Sequence, residues 1–448
     1  MNDHVERIKS ELDSINTMSL DEFNAMRNER FRKMLLHHYN NPYNSAYMEF
    51  LREHGIEGEE DLPRSVEEIG RLPMTDKEFL RKGGFAKKPC VPKEEISKNI
   101  QTTGSTDTPL FIPHSYKAGN RLYGELLVRS MIINGFDLTA RHYWVMHYTK
   151  DQDNWSSHAA AQRVIQILGD KIIDESTQTP LPKHIENILK YKPKGSASSP
   201  NFYLALMNIA MSMNINLKDS SLEEILTGGS AFSDEAIRQL KENLGLNKIV
   251  QIYISTENFN IGTETPEKCG YCIHSDEQIV EVVDEDGNYV KEGQKGKILI
   301  TPISMDAAPV IRFLQGDEVV YLGKKDSKFV VIDNIRRFNE ASIGDGLLPY
   351  AEIESMPNYA SKMGVPILAI QIAKQRREGK DLPTIRVESP VDDKELVEKV
   401  MKEIFLRNPQ MRNEVESGTI HEPVLELYKP GELREGKLKV PLFRDETN

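Results

Sequence analysis

Two short segments combine residue types that can bind a nucleotide. Residues 251–257 read Gln-Ile-Tyr-Ile-Ser-Thr-Glu, and residues 309–317 read Pro-Val-Ile-Arg-Phe-Leu-Gln-Gly-Asp. In the first segment, the ring of Tyr253 can stack on a base, and Thr256 and Glu257 can meet a phosphate and its Mg²⁺. In the second, the carboxylate of Asp317 can accept hydrogen bonds from both hydroxyls of a ribose. In this order, the two segments predict a nucleotide site built from separated loops.

A loop rich in hydroxyl groups is a candidate phosphate site. It follows an apolar stretch and contains Thr102, Thr103, Gly104, Ser105 and Thr106. Hydroxyl and backbone N–H groups of such a loop can surround a triphosphate, although a solvated turn has the same composition. Asp107 opposes this function, because a carboxylate about 4 Å from a phosphate charge costs on the order of 1 kcal/mol even in water. We expect Asp107 to point away, to coordinate Mg²⁺ or to mark a weakened site.

Paired glycines form a second candidate loop. Gly228 and Gly229 follow a short apolar stretch and precede Ser230 and Ala231. Because glycine has no Cβ, backbone here can approach a flat ligand such as an adenine ring. A plain connection between a strand and the helix predicted over residues 233–244 is the alternative.

Two cysteines and a histidine lie close enough in sequence to offer three zinc ligands. They are Cys269, Cys272 and His274, and a fourth ligand can come from Cys90, Glu264 or Glu267. Such a zinc ion would be structural, because thiolate ligands close the coordination sphere. Two reduced cysteines beside a strand are the alternative.

Two further groups of residues can act on a substrate. Lys437 follows a glycine near the C-terminus, and its ammonium can neutralise charge on a phosphate during transfer. A solvated basic tail is the alternative there. Aromatic and histidine residues, among them Trp155 and His158, can form the wall of an organic-acid pocket together with Phe202, Tyr203 and Ala231. More often such residues belong to the core.

The hydrophobic pattern predicts an α/β protein with two domains. Residues 3–55 have helical spacing, and prolines divide residues 61–92 into short helices and loops. From 120 to 300, helices alternate with short apolar strands, and residues 279–333 are rich in strands. We expect a large domain over residues 1–335, with a helical segment over 1–90, and a small domain over 336–448.

The composition excludes several functional classes. The chain has 448 residues, too many for one core, and a formal net charge of −12, which argues against non-specific nucleic-acid binding. No apolar run has the roughly 20 residues needed to cross a bilayer. Three cysteines do not form a disulfide framework, so we expect a cytoplasmic protein without membrane or nucleic-acid partners.

Taken together, these motifs resemble the adenylate-forming (ANL) superfamily, specifically its phenylacetate–CoA ligase-like branch. The matching segments are residues 72–81, 101–109, 226–232, 253–257, 309–317 and 436–437. The phosphate loop differs from the family pattern, since Asp107 and Thr108 replace a glycine and a lysine. Ile254 stands where the family has glycine.

The resemblance implies a large layered α/β/β domain and a small mobile α+β domain joined by a hinge at residues 336–340. It implies that Tyr253 stacks on adenine, that Asp317 binds the ribose and that Glu257 holds Mg²⁺. It also implies that Lys437 acts in adenylation, that Arg337 and the glycine loops bind ATP, and that His158 lies in the acyl pocket. A homodimer is what the relatives suggest.

We therefore expect an ATP-dependent ligase that converts a carboxylic acid, for example an aromatic one, into an acyl-adenylate and pyrophosphate. The acyl group would then pass to an acceptor, by default CoA. One alternative is adenylation of a cofactor hydroxyl or ligation to an amine. Another is a non-catalytic nucleotide-binding or scaffold protein. Asp107, Thr108 and Ile254 favour that alternative, and Glu257, Asp317 and Lys437 oppose it.

Overall fold

A computed structural model describes most of the chain as two compact units. The described residues are 3–101, 110–146, 156–229, 232, 234–337, 340–430, 432–433 and 442–447. The larger unit contains the described residues up to Arg336, and the smaller unit contains those from Arg337 on. None of the described helices is long and apolar enough to cross a membrane.

The larger unit begins with helices, as the apolar spacing predicts. They are α1 (Asp3–Thr17), α2 (Leu20–Tyr39), α3 (Ala46–Glu53) and α4 (Lys77–Lys82), with 3₁₀ turns at Glu59–Asp61, Val66–Arg71 and Lys93–Glu95. Ser19 starts α2 through a reciprocal capping box with Glu22. Val5, Ile8, Leu12 and Ile15 recur every three or four residues and form the buried face of α1.

A hairpin and a helical segment follow. The hairpin consists of β1 (Ile96–Gln101) and β2 (Phe111–Ser115), which pair antiparallel. The next elements are α5 (Tyr116–Gly119), a π-helical turn (Asn120–Glu125) and α6 (Leu126–Ile133). This segment packs beside the central sheet and covers one side of it.

Parallel strands form one half of an 11-stranded sheet. They are β3 (His142–Met146), β4 (Ile172–Ser176), β5 (Gly195–Ser198), β6 (Glu224–Gly228) and β7 (Lys248–Ser255), in the spatial order β4-β3-β5-β6-β7. The helices of this region are α7 (Ser156–Leu168), α8 (Leu181–Tyr191), α9 (Pro200–Ser212) and α10 (Asp234–Leu244), with a 3₁₀ turn at Gly169–Lys171. Parallel neighbours require such long crossovers.

The sheet continues with strands that include antiparallel hairpins, as the sequence predicts for residues 279–333. They are β8 (Phe259–Glu264), β9 (Tyr271–Ile273), β10 (Gln278–Val283), β11 (Lys295–Pro302), β12 (Phe313–Lys325) and β13 (Phe329–Arg337). From β7 onward the spatial order is β7-β8-β9-β13-β12-β11-β10.

Side chains of the parallel strands point alternately to two faces of the sheet. Trp144 belongs to the hydrophobic cluster that includes the buried side of α7. Tyr143 and Val145 belong to the cluster formed with α8, α9 and α10. The helices therefore cover both faces, which is typical of an α/β architecture.

The smaller unit is α+β. Its elements are β14 (Glu340–Ile343), β15 (Gly346–Pro349), α11 (Tyr350–Lys362), β16 (Ala369–Arg377), β17 (Lys380–Glu388), α12 (Lys394–Phe405), α13 (Pro409–Glu416), β18 (Val424–Tyr428) and β19 (Phe443–Asp445). The four-stranded sheet has the order β18-β17-β16-β19 and shares one apolar core with the helices. The predicted combination of mixed α/β and smaller α+β regions is confirmed.

Candidate nucleotide-binding site

The predicted nucleotide residues gather at one edge of the parallel sheet. Gly228 ends β6, and Gly229 follows it with a φ of +97°. Gly228 is paired with Ile252 of β7, so Tyr253 and the turn containing Glu257 continue from the same edge. Ligands of open α/β sheets bind beyond the carboxyl ends of parallel strands.

The two segments that the sequence singled out meet directly in the structure. The Tyr253 hydroxyl donates to Asp317 Oδ2 at 2.6 Å. Gln315 Oε1 accepts hydrogen bonds from Ser255 Oγ at 3.3 Å and from the amide of Asn258. These bonds hold the Thr256–Glu257 turn against β12.

This contact requires a curved sheet. Strands β7 and β12 are four places apart in the sheet order, and in a flat sheet they would be about 19 Å apart at a spacing of about 4.8 Å per strand. A tyrosine side chain cannot cross that distance. The antiparallel half must therefore curl until β12 faces the end of β7.

Glu257 is a buried carboxylate with a lysine beside it. Its residue is only 4% exposed, and its carboxylate lies 3.7 Å from Lys77 Nζ. Lys77 begins α4, and its own side chain is 38% exposed. No role for Lys77 was predicted beyond the family likeness of residues 72–81, because nothing in the local sequence links it to Glu257.

Backbone pairing holds the segment that carries Lys77. Thr75 bridges to Phe313 at the start of β12, and its hydroxyl donates to the carbonyl of Ile311 at 2.7 Å. Arg312 binds Glu281 through both ends of its guanidinium at 3.1 and 3.0 Å, and it also donates to the carbonyl of Leu72. The arginine of this motif therefore positions β12 and α4 and is not directed at a ligand.

Gly228 is required by close packing of β6 on β7. A Cβ at this position would lie 2.8 Å from Ile252 Cγ1 and 3.1 Å from Ile254 Cγ2. Ile254, which replaces the family glycine, thus occupies space beside Gly228. The side chain of Phe232 is buried, and its N–H donates to Gln251 Oε1 at 2.7 Å, which fixes the chain after the paired glycines.

The described members of the predicted acid pocket lie on helices that cover different faces of the sheet. His158 lies on α7, which covers one face of the sheet. Phe202 and Tyr203 lie on α9 and belong to the core cluster of the opposite face. Tyr203 is fully buried, and its hydroxyl donates to Ser196 Oγ at 3.0 Å. These two residues have the core role that the sequence left open as the alternative.

The predicted zinc ligands are also apart. Cys269 precedes β9 and is exposed, whereas His274 follows β9 and is buried with its Nε2 3.3 Å from both Ser130 Oγ and Asn260 Nδ2. Burial lowers the pKa of His274 to about 3 and raises the pKa of Cys272 to about 11. Among the described residues, the only three side chains close enough to share a metal are Glu11, Asp276 and Glu277. The structure therefore does not bring Cys269, Cys272 and His274 within reach of one metal ion, and the zinc site stays a prediction.

That acidic group is already neutralised by arginines. Arg129 Nη1 lies 2.8 Å from Asp276 Oδ1, and Arg121 Nη2 lies 2.8 Å from Glu277 Oε1. These ion pairs join the π-helical turn and α6 to the chain after β9. They offer no open carboxylate cluster for a metal ion.

Several predicted residues lie outside the described part of the chain. They are Thr102, Thr103, Gly104, Ser105, Thr106, Trp155, Ser230, Ala231 and Lys437. Arg337 is the first residue of the smaller unit, but its side chain is not described. The phosphate and adenylation roles given to these residues stay predictions.

The described residues fit Mg²⁺ carried by a nucleotide better than a site formed by protein alone. Mg²⁺ is usually held by one or two carboxylates together with substrate phosphates. Glu257 supplies one buried carboxylate at the sheet edge, and Thr256 beside it is half-buried. Asp317 is 3% exposed and is oriented by Tyr253, so it fits a ribose better than a metal.

Known proteins are similar to this chain in sequence and in fold. The AMP-binding enzyme family matches residues 170–305. The phenylacetate-coenzyme A ligase of Thermus thermophilus is 24% identical over 312 residues, covering 68% of this chain and 66% of that protein. The ligase of the same name from Pseudomonas putida is 26% identical over 326 residues, covering 71% of each. The chain thus spans about two thirds of the length of these curated relatives.

A solved structure matches over nearly the whole chain. The 2-hydroxyisobutyryl-CoA ligase, in complex with 2-HIB-AMP and CoA, has a TM-score of 0.73 at 19% identity. The match covers 96% of this chain and 91% of that one. At this identity, the likeness establishes the fold.

The AMP-binding family match and these curated relatives support an adenylate-forming enzyme. Within that superfamily, the chain is similar to the phenylacetate–CoA ligases. The resemblance drawn from the sequence motifs is confirmed.

Proposed function

We propose that the chain activates a carboxylic acid with ATP and transfers the acyl group to CoA. The direct contact between Tyr253 and Asp317 supports this proposal most strongly, because it unites the two nucleotide segments at one sheet edge. The acid oxygen would attack the α-phosphorus while the bond to pyrophosphate breaks. The CoA thiol would then attack the acyl carbon, and AMP would leave.

The described residues have distinct proposed roles. Asp317 would accept the ribose hydroxyls while Tyr253 holds one of its oxygens. Glu257 would bind Mg²⁺, which offsets phosphate charge when it is bound with ATP. Lys77, 3.7 Å from Glu257, would offset the negative charge at this position before the nucleotide arrives.

The two units would divide the reaction. The larger unit would bind ATP and the acid, and the smaller unit would supply Lys437 for adenylation through the segment at residues 336–340. Cytoplasmic location and a homodimer stay predictions.

ATP–pyrophosphate exchange tests the proposal. Purified protein with Mg²⁺ is assayed against aryl, fatty and amino acids without CoA, and we expect exchange with one acid class. Glu257→Gln should lower that exchange by roughly 10- to 100-fold, since a charged contact is worth about 1.5–3 kcal/mol. The exposed Glu242→Gln on α10 is the matched control.

Three outcomes separate the alternatives. Exchange followed by thioester formation on addition of CoA supports the full proposal. Exchange without thioester, but with product from an amine, favours amide ligation. ATP binding without exchange for any acid contradicts the proposal and favours a non-catalytic nucleotide-binding protein.

A further inference from the structure

A polar cavity of about 240 Å³ lies within the larger unit, between the β1–β2 hairpin, the π-helical turn and α7. Its lining includes Ser97, His114, Tyr123, Gln162, Arg163 and Gln166. A dry cavity of about 150 Å³ can hold benzene, so this one can hold a small organic molecule. None of these residues has a role in the nucleotide site.

Two buried side chains of the cavity have polar atoms without partners among the residues that the structure describes. His114 is 1% exposed, and neither of its ring nitrogens has a hydrogen bond to any of those residues. The Tyr123 hydroxyl is likewise buried and has no partner among them. Both rings pack on Phe259, with centroids 4.2 Å away, so neither can turn toward solvent. Buried polar groups are nearly always hydrogen-bonded, and these two indicate a ligand that supplies the bonds.

Arg163 adds a positive charge that is not paired with any described carboxylate. Its guanidinium donates to Gln166 Oε1 at 3.0 Å and lies 5.5 Å from the centre of the Tyr116 ring. In the part of the chain that the structure describes, no carboxylate pairs with it, although the protein has 69 acidic residues against 57 basic ones. Burial lowers the pKa of Arg163, which is the cost of keeping this charge partly out of water.

The backbone fixes Arg163 in place. Gly124 of the π-helical turn packs so closely on α7 that a Cβ there would lie 3.1 Å from Arg163 Cβ. Gly119 lies beside the guanidinium, where a Cβ would be 3.6 Å from Nε. These contacts place the guanidinium beside the π-helical turn, where it lines the cavity.

The cavity adjoins the proposed reaction site. Phe259, which touches His114 and Tyr123, follows Glu257 by two residues. Burial, and then the charge of Glu257, raise the pKa of Tyr123, so the two side chains share one electrostatic environment. On α7, Gln162 lies one turn after His158, the residue predicted to contact the acid.

We propose that this cavity binds a second anionic group of the acid, so that the preferred substrates are small dicarboxylic acids. The inference rests on the proposed function and names the substrate class of the same site. The distant carboxylate would accept hydrogen bonds from Arg163, Tyr123 and one N–H of a neutral His114. The other carboxylate would extend toward Glu257 for activation.

Matched acids test the proposal. Benzoate and isophthalate differ by one carboxylate, as do butyrate and glutarate. In ATP–pyrophosphate exchange, the value of kcat/KM should be higher for the dicarboxylate of at least one pair. Arg163→Gln should reduce that preference by roughly 10- to 100-fold, the loss expected for a charged hydrogen bond. Arg163→Lys should restore part of it.

The control is Arg238→Gln, which removes an exposed arginine paired with Glu242 on α10. It should leave the preference unchanged. Equal kcat/KM values for the two acids of each pair in the unaltered protein overturn the proposal. A dicarboxylate preference that is unchanged in Arg163→Gln also overturns it. Calorimetry with inorganic phosphate is the second experiment. If phosphate binds tightly, Arg163→Gln abolishes that binding and the enzyme shows no preference for dicarboxylates, the cavity is a site for a free anion. That result overturns the substrate role.

Failure of the proposed function can be distinguished from failure of the dicarboxylate proposal. If no acid supports exchange, calorimetry of isophthalate with the full chain tests whether the cavity binds a dicarboxylate. Binding that Arg163→Gln abolishes supports the dicarboxylate pocket, and absence of binding overturns it.

Discussion

The Tyr253 side chain has two separate roles in the structure, one for its ring and one for its hydroxyl. Its ring belongs to the cluster at the end of β7, and its hydroxyl holds Asp317 Oδ2 at 2.6 Å. The ring was predicted to stack on adenine, which stays a prediction. The hydroxyl contact was not predicted, because it links residues from two segments whose distance the sequence does not give.

Tyr253→Phe should weaken ATP binding more than it slows the chemical step. The change removes one donor from a buried carboxylate, which costs about 1–3 kcal/mol. We expect the KM for ATP to rise roughly 10-fold, with a smaller change in kcat. Steady-state exchange at varied ATP measures both values.

Tyr271→Phe is the matched control for that variant. Tyr271 is buried in the same apolar cluster but makes no hydrogen bond to Asp317. A kcat loss without a KM change in Tyr253→Phe would contradict the ribose role of Asp317.

Individual site residues could be predicted from the sequence more readily than the residues they contact in the fold. Glu257, Asp317 and the paired glycines were found because each follows a strand in a recognisable local pattern. Lys77 was missed as the partner of Glu257, since the two are far apart in the chain. His158 and Phe202 were grouped by residue type, but strand alternation places their helices on opposite faces.

Among the elements, the β6–β7 pair is the most tightly constrained part of the site. Gly228 leaves no room for a methyl group between the two strands. Overpacking of this kind costs about 1–3 kcal/mol. Gly228→Ala should therefore lower the free energy of unfolding by that amount, measured by denaturant titration.

Gly70→Ala gives the comparison. A Cβ at Gly70 would meet only the Tyr289 hydroxyl, at 3.5 Å, and its φ is not positive. We expect a change of less than about 0.5 kcal/mol there. Equal effects of the two substitutions would show that β6 and β7 can separate without cost.

Strand and helix positions were predicted well where the apolar period is strong, as in residues 3–55 and 279–333. The order of strands in the sheet could not be predicted from the sequence. Hydrophobic spacing indicates which face of a strand is buried, but not which strand lies beside it. The curl that joins β7 to β12 depends on that order.

At the scale of the whole molecule, the smaller unit carries its own pH response. Glu414 of α13 accepts the N–H of Asp345, in the turn of the β14–β15 hairpin, at 3.1 Å. Burial and the charge of Asp345 raise the pKa of Glu414 from 4.5 to about 7. The folded state therefore keeps a proton that the unfolded state releases above its lower pKa.

Stability should fall between about pH 4.5 and 7 for this reason. Glu414→Gln keeps an acceptor and removes the charge, so at pH 8 it should raise the free energy of unfolding by about 2–3 kcal/mol. At pH 4 the difference should vanish. Denaturant titrations of the full chain at both pH values check this.

The exposed Glu416 lies on the same helix, and Glu416→Gln is the control. A gain at pH 8 that persists at pH 4 would contradict the assignment, since it would not depend on the charge of Glu414.

The hydrogen bond from Thr75 to Ile311 can form only late in the synthesis of the chain. Its two ends are 236 residues apart, and a ribosome adding about 5–20 residues per second needs roughly 12–47 s to make the second end after the first. During that time Thr75, just before α4, has no β12 to pair with. The nucleotide site is thus a late product of translation, and a chain interrupted before β12 carries Glu257 but lacks the strand that orients it.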